Sequence, residues 1–167
     1  EPVEVEAITR FPVGFSWLTF GLRVRGLDDA PGVRELILRL GPDDGLFAPY
    51  SASPQLLAIR PLAGSAVPVP QAYWHGDDPS VLGAPFLFCE KARGSAVLPW
   101  ASASLKPLED VYRLQLAADF IGALAALHRV DWAAAPIAAL ADGVQPEDAA
   151  QRQVDLWRRE YERWALR

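Results

Sequence analysis

The change in hydrophobic periodicity along this chain constrains its fold more than any other feature of the sequence. Up to about residue 94, short β-prone runs alternate with turn residues. From about residue 108, the chain is rich in Ala and Leu, and its apolar residues recur at helical spacing. A strand-rich half followed by a helical half predicts an α+β protein. We therefore divide the 167 residues into a first unit, 1–93, and a second unit, 94–167.

The first unit is predicted to contain an antiparallel sheet and one helix. Two β-prone runs flank a segment of turn residues, as in a hairpin, and the VPVP sequence at 67–70 must be extended. A serine cap at Ser53, followed by proline at the first helical position, favours a short helix over 53–62, which Pro61 should end early. Strands are predicted at 19–25 and 35–40, more weakly at 5–12, and as a pair at 71–75 and 85–90.

The second unit is predicted to contain two helices. One runs from 109 to about His128, and the other begins near residue 147. The second helix carries an apolar stripe at alternating spacings of four and three residues: Ala150, Val154, Trp157, Tyr161 and Trp164. Exposed apolar surface of that extent usually drives association. If nothing else covers the two helices, we expect a homodimer through 109–128 and 147–167.

The composition excludes several classes of protein. Hydrophobic residues make up 51% of the chain, which is enough to bury a core, so an intrinsically disordered chain is excluded. The net charge of −5, without a basic cluster, argues against a nucleic-acid partner. No apolar run approaches the roughly 20 residues of a membrane span. The single cysteine, Cys89, is interpreted as a small core residue, and it makes a reducing, cytoplasmic location the expectation.

Five short motifs occur in this order: VPVP at 67–70, LGAPF at 82–86, EKARG at 90–94, LAALHRVD at 124–131 and QVDLWRREY at 153–161. Together they resemble the motifs of the aminoglycoside phosphotransferase family. The last is similar to the branch associated with acyl-CoA dehydrogenases. The resemblance implies a protein-kinase-like small lobe followed by the first helices of a large lobe. It also implies an enzyme that uses ATP or GTP with Mg²⁺ to phosphorylate a small hydroxylated substrate.

The resemblance implies that the small lobe presents a cation to the nucleotide phosphates. Ile37-Leu38-Arg39 is similar to the family's VLR strand, so Arg39 is the candidate. Without the resemblance, a solvent-facing arginine on an alternating strand would be the better interpretation. The partner carboxylate of the family is replaced here by Gln55, which can only hydrogen-bond to Arg39.

Two further segments are candidate nucleotide contacts through the resemblance. The turn at 12–17 resembles the hairpin that covers the phosphates, which implicates Gly14 and Ser16, although a plain β-turn explains it equally well. The connector after residue 89 resembles the segment whose backbone contacts the adenine edge, which implicates Glu90 and Ala92. An ordinary edge strand running into a linker is the alternative.

One motif imitates a catalytic site. His75-Gly76-Asp77 contains the triplet that opens the family's catalytic loop, but that loop needs an Asn five residues after the aspartate, where this chain has Leu82. The chain contains no Asn at all, and the triplet precedes the connector instead of following the long helix. We interpret 75–79 as a surface turn and expect neither a catalytic residue nor a metal ligand in this chain.

The motif order therefore predicts the first part of a two-lobed phosphotransferase that is inactive by itself. The missing Met is consistent with a chain that lacks its natural start. One alternative is a noncatalytic binding domain of kinase-like architecture, which Gln55 and the glycine-poor turn favour. A second alternative is an unrelated α+β module that dimerises through its tryptophan stripe. The identity of the substrate is left open.

Overall fold

A computed structural model describes residues 2–12, 16–27, 32–44, 48–94, 110–131, 133, 138 and 145–165. Its strands are β1 (Glu4–Phe11), β2 (Leu18–Arg25), β3 (Val33–Leu40), β4 (Ala72–Gly76) and β5 (Phe86–Glu90). Its helices are α1 (Ser53–Ile59), α2 (Pro79–Leu82), α3 (Asp110–His128) and α4 (Ala149–Ala165). Short 3₁₀ turns at Arg60–Leu62 and Pro146–Asp148 follow α1 and precede α4. The predicted α+β class, with an antiparallel sheet and one helix followed by further helices, is confirmed.

The five strands form one antiparallel sheet in the order β1-β2-β3-β5-β4. β2 and β3 pair without a break from Leu18 opposite Leu40 to Arg25 opposite Val33. β5 then inserts between β3 and β4, so the strand that leads into the connector lies inside the sheet.

The two faces of the sheet carry separate hydrophobic clusters because successive side chains on a strand point to opposite faces. On the first face, Leu22, Val24 and Leu36 are buried. On the second face, helix α1 packs through Ala52 and Leu56 against Leu87, which is fully buried. The second face is the one that carries the candidate site, since Arg39 is paired with Leu87.

Helix α2 was not predicted. Residues 77–79 were interpreted as part of a surface turn, but the Asp78 carboxylate accepts a hydrogen bond from the Ser80 amide at 2.8 Å and caps a four-residue helix. Gly83 ends it with a φ of 79°, in the left-handed region that glycine tolerates. An N-cap aspartate, a following proline and a C-terminal glycine are helix signals, which here suffice for a single turn.

The helices of the second unit lie mostly exposed. Among the described residues of α3 only Ala126 is buried, and α4 has no buried residue. The predicted stripe on α4 is exposed, with Trp157 at 49% and Tyr161 at 73% of full exposure. The Arg163 guanidinium nevertheless contacts the first unit, because its Nη1 donates to the Ala48 carbonyl at 2.8 Å. The division at residue 93 stays a prediction.

Candidate functional site

Arg39 and Gln55 meet on the second face of the sheet. β3 supplies Arg39, and α1 supplies Gln55 as its third residue. Arg39 Nη1 donates to Gln55 Oε1 at 2.5 Å, and the guanidinium carbon lies 5.6 Å from the centre of the Trp17 ring. The hydrogen bond orients the guanidinium, and the aromatic ring adds a cation–π contact.

The charge of Arg39 is not balanced by an acid among the described residues. Within the described part of the chain, no carboxylate lies at ion-pairing distance from its guanidinium. Burial lowers the pKa of Arg39 from its ordinary value, while the nearby Cys89 acts in the opposite direction. Because arginine starts from so high a pKa, it keeps its charge. The site therefore holds a half-buried cation whose side-chain partner is a neutral amide.

The start of helix α1 is fixed by Asp77, which follows β4 directly. The Asp77 carboxylate accepts hydrogen bonds from the Ala52 amide at 2.6 Å, the Ser53 hydroxyl at 2.8 Å and the Ser51 hydroxyl at 2.9 Å. Burial raises the pKa of this carboxyl, but the hydrogen bonds from Ala52, Ser53 and Ser51 lower it by more, so that it lies below its ordinary value. Asp77 is thus a carboxylate whose charged form is stabilised.

The His75-Gly76-Asp77 triplet is explained by packing, and it is not simply a surface turn as interpreted from the sequence. His75 and Gly76 are the last two residues of β4. A Cβ atom on Gly76 would lie 2.7 Å from Cε1 of Phe86, its partner on β5, so the aromatic ring occupies the space of a side chain. Asp77 bonds to α1, and His75 is exposed. Gly76 therefore has a packing role and Asp77 a helix-anchoring role, and the absence of a catalytic function stays a prediction.

A groove lies on the same face as Arg39, nearer to the connector. It has a volume of about 210 Å³ and is open to solvent at strands β1, β2 and β3. The ring of Phe11 lies over Gly21, where a Cβ would come within 3.0 Å of it. Glu35, Arg23 and Lys91 line the polar end of the groove. Glu35 and Arg39 are four residues apart on β3, so about 13 Å of one strand face joins the two places.

The connector is tied to the sheet where it leaves β5. The Glu90 amide donates to the Gln71 carbonyl at 2.8 Å, and the Lys91 amide donates to the Glu35 carbonyl at 3.3 Å. Lys91 Nζ also pairs with Glu35 Oε1 at 2.7 Å, and this hydrogen bond and charge hold the pKa of Glu35 below its ordinary value. Ala92 follows and is exposed. Lys91, which lies between the predicted contact residues Glu90 and Ala92 in sequence, lines the polar end of the groove.

The phosphate-covering turn can be located only in part. Gly14 lies outside the described residues. Ser16 is half-buried two residues before β2, and the next residue, Trp17, packs edge-to-face on Tyr50 with ring centres 5.2 Å apart. Ser16 is thus close in sequence to the aromatic ring that contacts Arg39, but no described contact joins the serine to the pair.

Sequence reasoning did not identify the roles of four residues of this site. Trp17 was part of the candidate turn without a role of its own, and the pairing of Glu35 with Lys91 depends on strand register. Asp77 was set aside as part of a turn. The predicted Ser53 cap was wrong, because Ala52 is the N-cap residue and the Ser53 hydroxyl donates to Asp77 instead.

Two further features bear on the class of site. Among the described residues, no group of three or more His, Cys, Asp or Glu side chains is placed to bind a metal ion. The described helices include none that combines the length and apolar character required to cross a bilayer. Cys89 is buried, as predicted, and burial raises the pKa of its thiol.

Comparison with known proteins shows that this chain is similar to phosphotransferases. The sequence matches the model of the phosphotransferase enzyme family over residues 8–167. A crystal structure from Ralstonia eutropha JMP134, designated a candidate aminoglycoside phosphotransferase, has a TM-score of 0.63 and 27% sequence identity. The match covers 96% of this chain and 42% of that one, and it confirms the predicted kinase-like fold. Among curated proteins no match is found.

Proposed function

Since the chain belongs to the phosphotransferase enzyme family, we propose that it forms the nucleotide-binding part of a kinase-like enzyme. That enzyme transfers the γ-phosphoryl group of ATP or GTP to a hydroxyl group of a small molecule. The chain spans 42% of the length of the similar crystal structure, so the activity proposed is that of a longer protein. A cytoplasmic location belongs to the same proposal.

The observation that carries this proposal is the Arg39–Gln55 pair. Phosphoryl transfer depends chiefly on positioning and on neutralising the charge of the phosphates. Arg39 offers a half-buried cation with no carboxylate partner among the described residues. With Gln55 Oε1 accepting from Arg39, the Nε2 group of Gln55 can only donate hydrogen bonds. Both side chains therefore suit an anion.

The groove on the second face of the sheet is the proposed position of the nucleotide base. Under this proposal the adenine or guanine ring lies near Phe11 and Gly21, and the backbone of Glu90 and Ala92 reads its edge. The phosphates then extend along β3 toward Arg39, and Gly14 and Ser16 are candidate phosphate contacts through the family resemblance alone. An apolar surface beside connector backbone groups is suited to a planar base with a polar edge.

Magnesium belongs to the same proposal. Bound Mg²⁺ would neutralise charge on the transferred phosphates, and we place its ligands and the catalytic carboxylate in sequence outside these 167 residues. The residues of this chain would bind the nucleotide and orient its phosphates. We therefore expect the 167-residue chain to bind Mg-ATP weakly and to turn none of it over.

Titration of the chain with Mg-ATP and Mg-GTP tests the proposal by calorimetry and by ¹H–¹⁵N correlation NMR. We expect weak binding that perturbs the signals of Gly21, Lys91 and the Gln55 side chain. Arg39→Met should abolish these shifts, whereas Arg152→Met, which removes the same charge from an exposed position on α4, should preserve them. Unperturbed signals at millimolar nucleotide would contradict nucleotide binding, and tight binding with turnover would contradict the assignment of catalysis to other sequence.

A noncatalytic binding domain is the second candidate, because the acidic partner of Arg39 is replaced by Gln55. The two candidates differ in the longer protein. A second His-Gly-Asp triplet with Asn five residues after its aspartate would favour the enzyme. A longer protein without that motif, and without turnover of Mg-ATP, would favour the binding domain. A homodimer through the exposed faces of α3 and α4 is compatible with either candidate.

A further inference from the structure

We propose that Asp77 is a positioning residue that holds helix α1 so that Gln55 keeps Arg39 in place for the nucleotide phosphates. This inference rests on the proposed function only for the role of Arg39 toward phosphate. The positioning itself concerns contacts within this chain. The Asp77 carboxylate would thus act on the site indirectly, through its hydrogen bonds to the Ala52 amide and to the Ser51 and Ser53 hydroxyls.

The contacts of Asp77 concentrate on the first turn of α1. Its Oδ1 accepts from the Ala52 amide, and its Oδ2 accepts from the hydroxyls of Ser51 and Ser53, at 2.6 to 2.9 Å. These three residues lie 24 to 26 positions away in sequence. One carboxylate therefore replaces the local side-chain cap that most helices carry at this end.

Apart from the packing of Ala52 and Leu56 against Leu87, the start of helix α1 has no local cap to stabilise it. The helix has only seven residues, its N-cap residue Ala52 offers no side chain to its amides, and its first turn contains no acidic residue. A helix of this length is only marginally stable without tertiary contacts. Gln55 lies two residues after Ser53 in the same turn, so a displacement of that turn moves Gln55 away from Arg39.

Asp77 also connects the two ends of the proposed nucleotide site. It follows β4, which pairs with β5, and β5 continues into the connector at Glu90. The same carboxylate is bonded to α1, whose Gln55 contacts Arg39. A change at Asp77 should consequently alter the phosphate end of the site while the sheet, with its own hydrogen bonds, is preserved.

The experiment compares Asp77→Ala with Asp78→Ala in the nucleotide-free chain. Asp78 is the matched control, because it is the adjacent carboxylate, carries the same charge and caps α2 through the Ser80 amide instead of α1. The readouts are the NMR signals of the Gln55 side-chain amide, the Arg39 Nε–H group and the Trp17 indole. Trp17→Phe and Gln55→Ala assign the Trp17 and Gln55 signals.

We expect Asp77→Ala to shift or broaden all three signals while the amides of Leu22, Val24 and Leu36 on the opposite face are unchanged. Asp78→Ala should leave the three signals in place. Asp77→Asn, which retains one acceptor, should show smaller changes in the three signals than Asp77→Ala. If the alanine variant does not fold, the asparagine variant is compared with the wild type instead. Three signals identical to wild type in the Asp77 variants, or the same changes in Asp78→Ala, would overturn the proposal.

Titration with Mg-ATP separates this inference from the proposed function. Loss of one orienting hydrogen bond should weaken binding about fivefold in Asp77→Ala, with wild-type affinity in Asp78→Ala. Equal affinity in the wild type and Asp77→Ala would refute the effect on the nucleotide site. If the wild-type chain shows no response to Mg-ATP, nucleotide binding fails, and the nucleotide-free signals still decide whether Asp77 positions the pair.

Discussion

A neutral partner leaves the charge of Arg39 available to a ligand. An acidic partner would have to compete with phosphate for the guanidinium, whereas the Gln55 oxygen orients the group and cancels none of its charge. The half-buried environment strengthens the attraction, since charges interact more strongly away from bulk water. The property of Gln55 that matters most for the site is therefore its lack of a negative charge.

Gln55→Glu should make the chain more stable and weaken its binding of nucleotide. The new carboxylate would pair with Arg39 and contribute up to about 1 kcal/mol to the free energy of unfolding. Its pKa in the folded chain would lie below the ordinary value of about 4.3, so the gain is present above that pH and is lost as the pH falls through the lowered value. Urea unfolding at pH 7 and pH 3 measures both effects.

Gln153→Glu, the same chemical change at an exposed position on α4, is the control for that comparison. It should leave the response to Mg-ATP unaltered. Tighter binding of Mg-ATP by Gln55→Glu than by the wild type would show that Arg39 does not meet the phosphates.

Gly76→Ala should destabilise the fold by about 1–3 kcal/mol, because a Cβ there would lie 2.7 Å from the ring of Phe86 and would overpack the sheet. Gly122→Ala on helix α3 is the matched comparison. A Cβ at Gly122 meets no atom within 4 Å, and alanine favours a helix by about 0.5–1 kcal/mol over glycine. Thermal unfolding of the two variants should shift in opposite directions, and equal shifts would contradict the steric role of Gly76.

Only those site residues that belong to a local sequence pattern or to a family motif could be predicted from the sequence. Arg39 and Gln55 were identified together, and the structure brings them into contact. Trp17 and Asp77 were not, because their roles depend on where distant segments meet. Asp77 reaches residues 24 to 26 positions away, and no periodicity within one element encodes such a distance.

Among the elements, β2 and α4 were predictable because each has an apolar pattern of the proper period, whereas α3 carries apolar residues on all sides and β5 is a continuous apolar run. β2 and β3 extend the predicted strands by one and two residues, and α3 ends at His128 as expected. Helix α1 ends two residues before Pro61, and the chain continues as a 3₁₀ turn. The order of strands was not predictable from these patterns, since pairing across β3 and β5 joins segments about 50 residues apart.

The stability that Asp77 confers on α1 should depend on pH. Its pKa is lowered in the folded chain, so its contribution is complete above the ordinary aspartate value of about 3.9 and is lost as the pH falls through the lowered value. Asp77→Asn should therefore reduce the free energy of unfolding at pH 7 by about 1 kcal/mol, a typical cost of losing a helix cap, and by less at pH 3. Urea unfolding at the two pH values provides the measurement.

Asp78→Asn serves as the control in that series, because its carboxylate has an anchoring bond only to α2. The pKa of Asp78 is also lowered, through the hydrogen bonds from Ser80, so a small acid-dependent loss is expected there too. A difference between Asp77→Asn and the wild type that is the same at both pH values would contradict the charge-dependent anchor.

The whole molecule presents apolar side chains on both helices of its second unit. We expect Trp157→Glu to disrupt a homodimer, because it places a charge in the exposed stripe formed by Val154, Tyr161 and Trp164. Arg152→Ala, which changes the net charge by the same amount on the opposite side of α4, should not. Sedimentation velocity at several concentrations measures the association, and an unchanged oligomeric state in Trp157→Glu would count against this interface.

The hydrogen bond from Arg163 to the Ala48 carbonyl has a consequence for the order in which the chain folds. It closes a loop of 115 residues, whereas β1, β2 and β3 pair through successive hairpins. The entropic cost of closing a loop grows with its length, so the hairpins should form before this long-range hydrogen bond does. The Arg163 contact should form late and open early, and amide hydrogen exchange should detect release of α4 at a lower free energy than opening of the sheet.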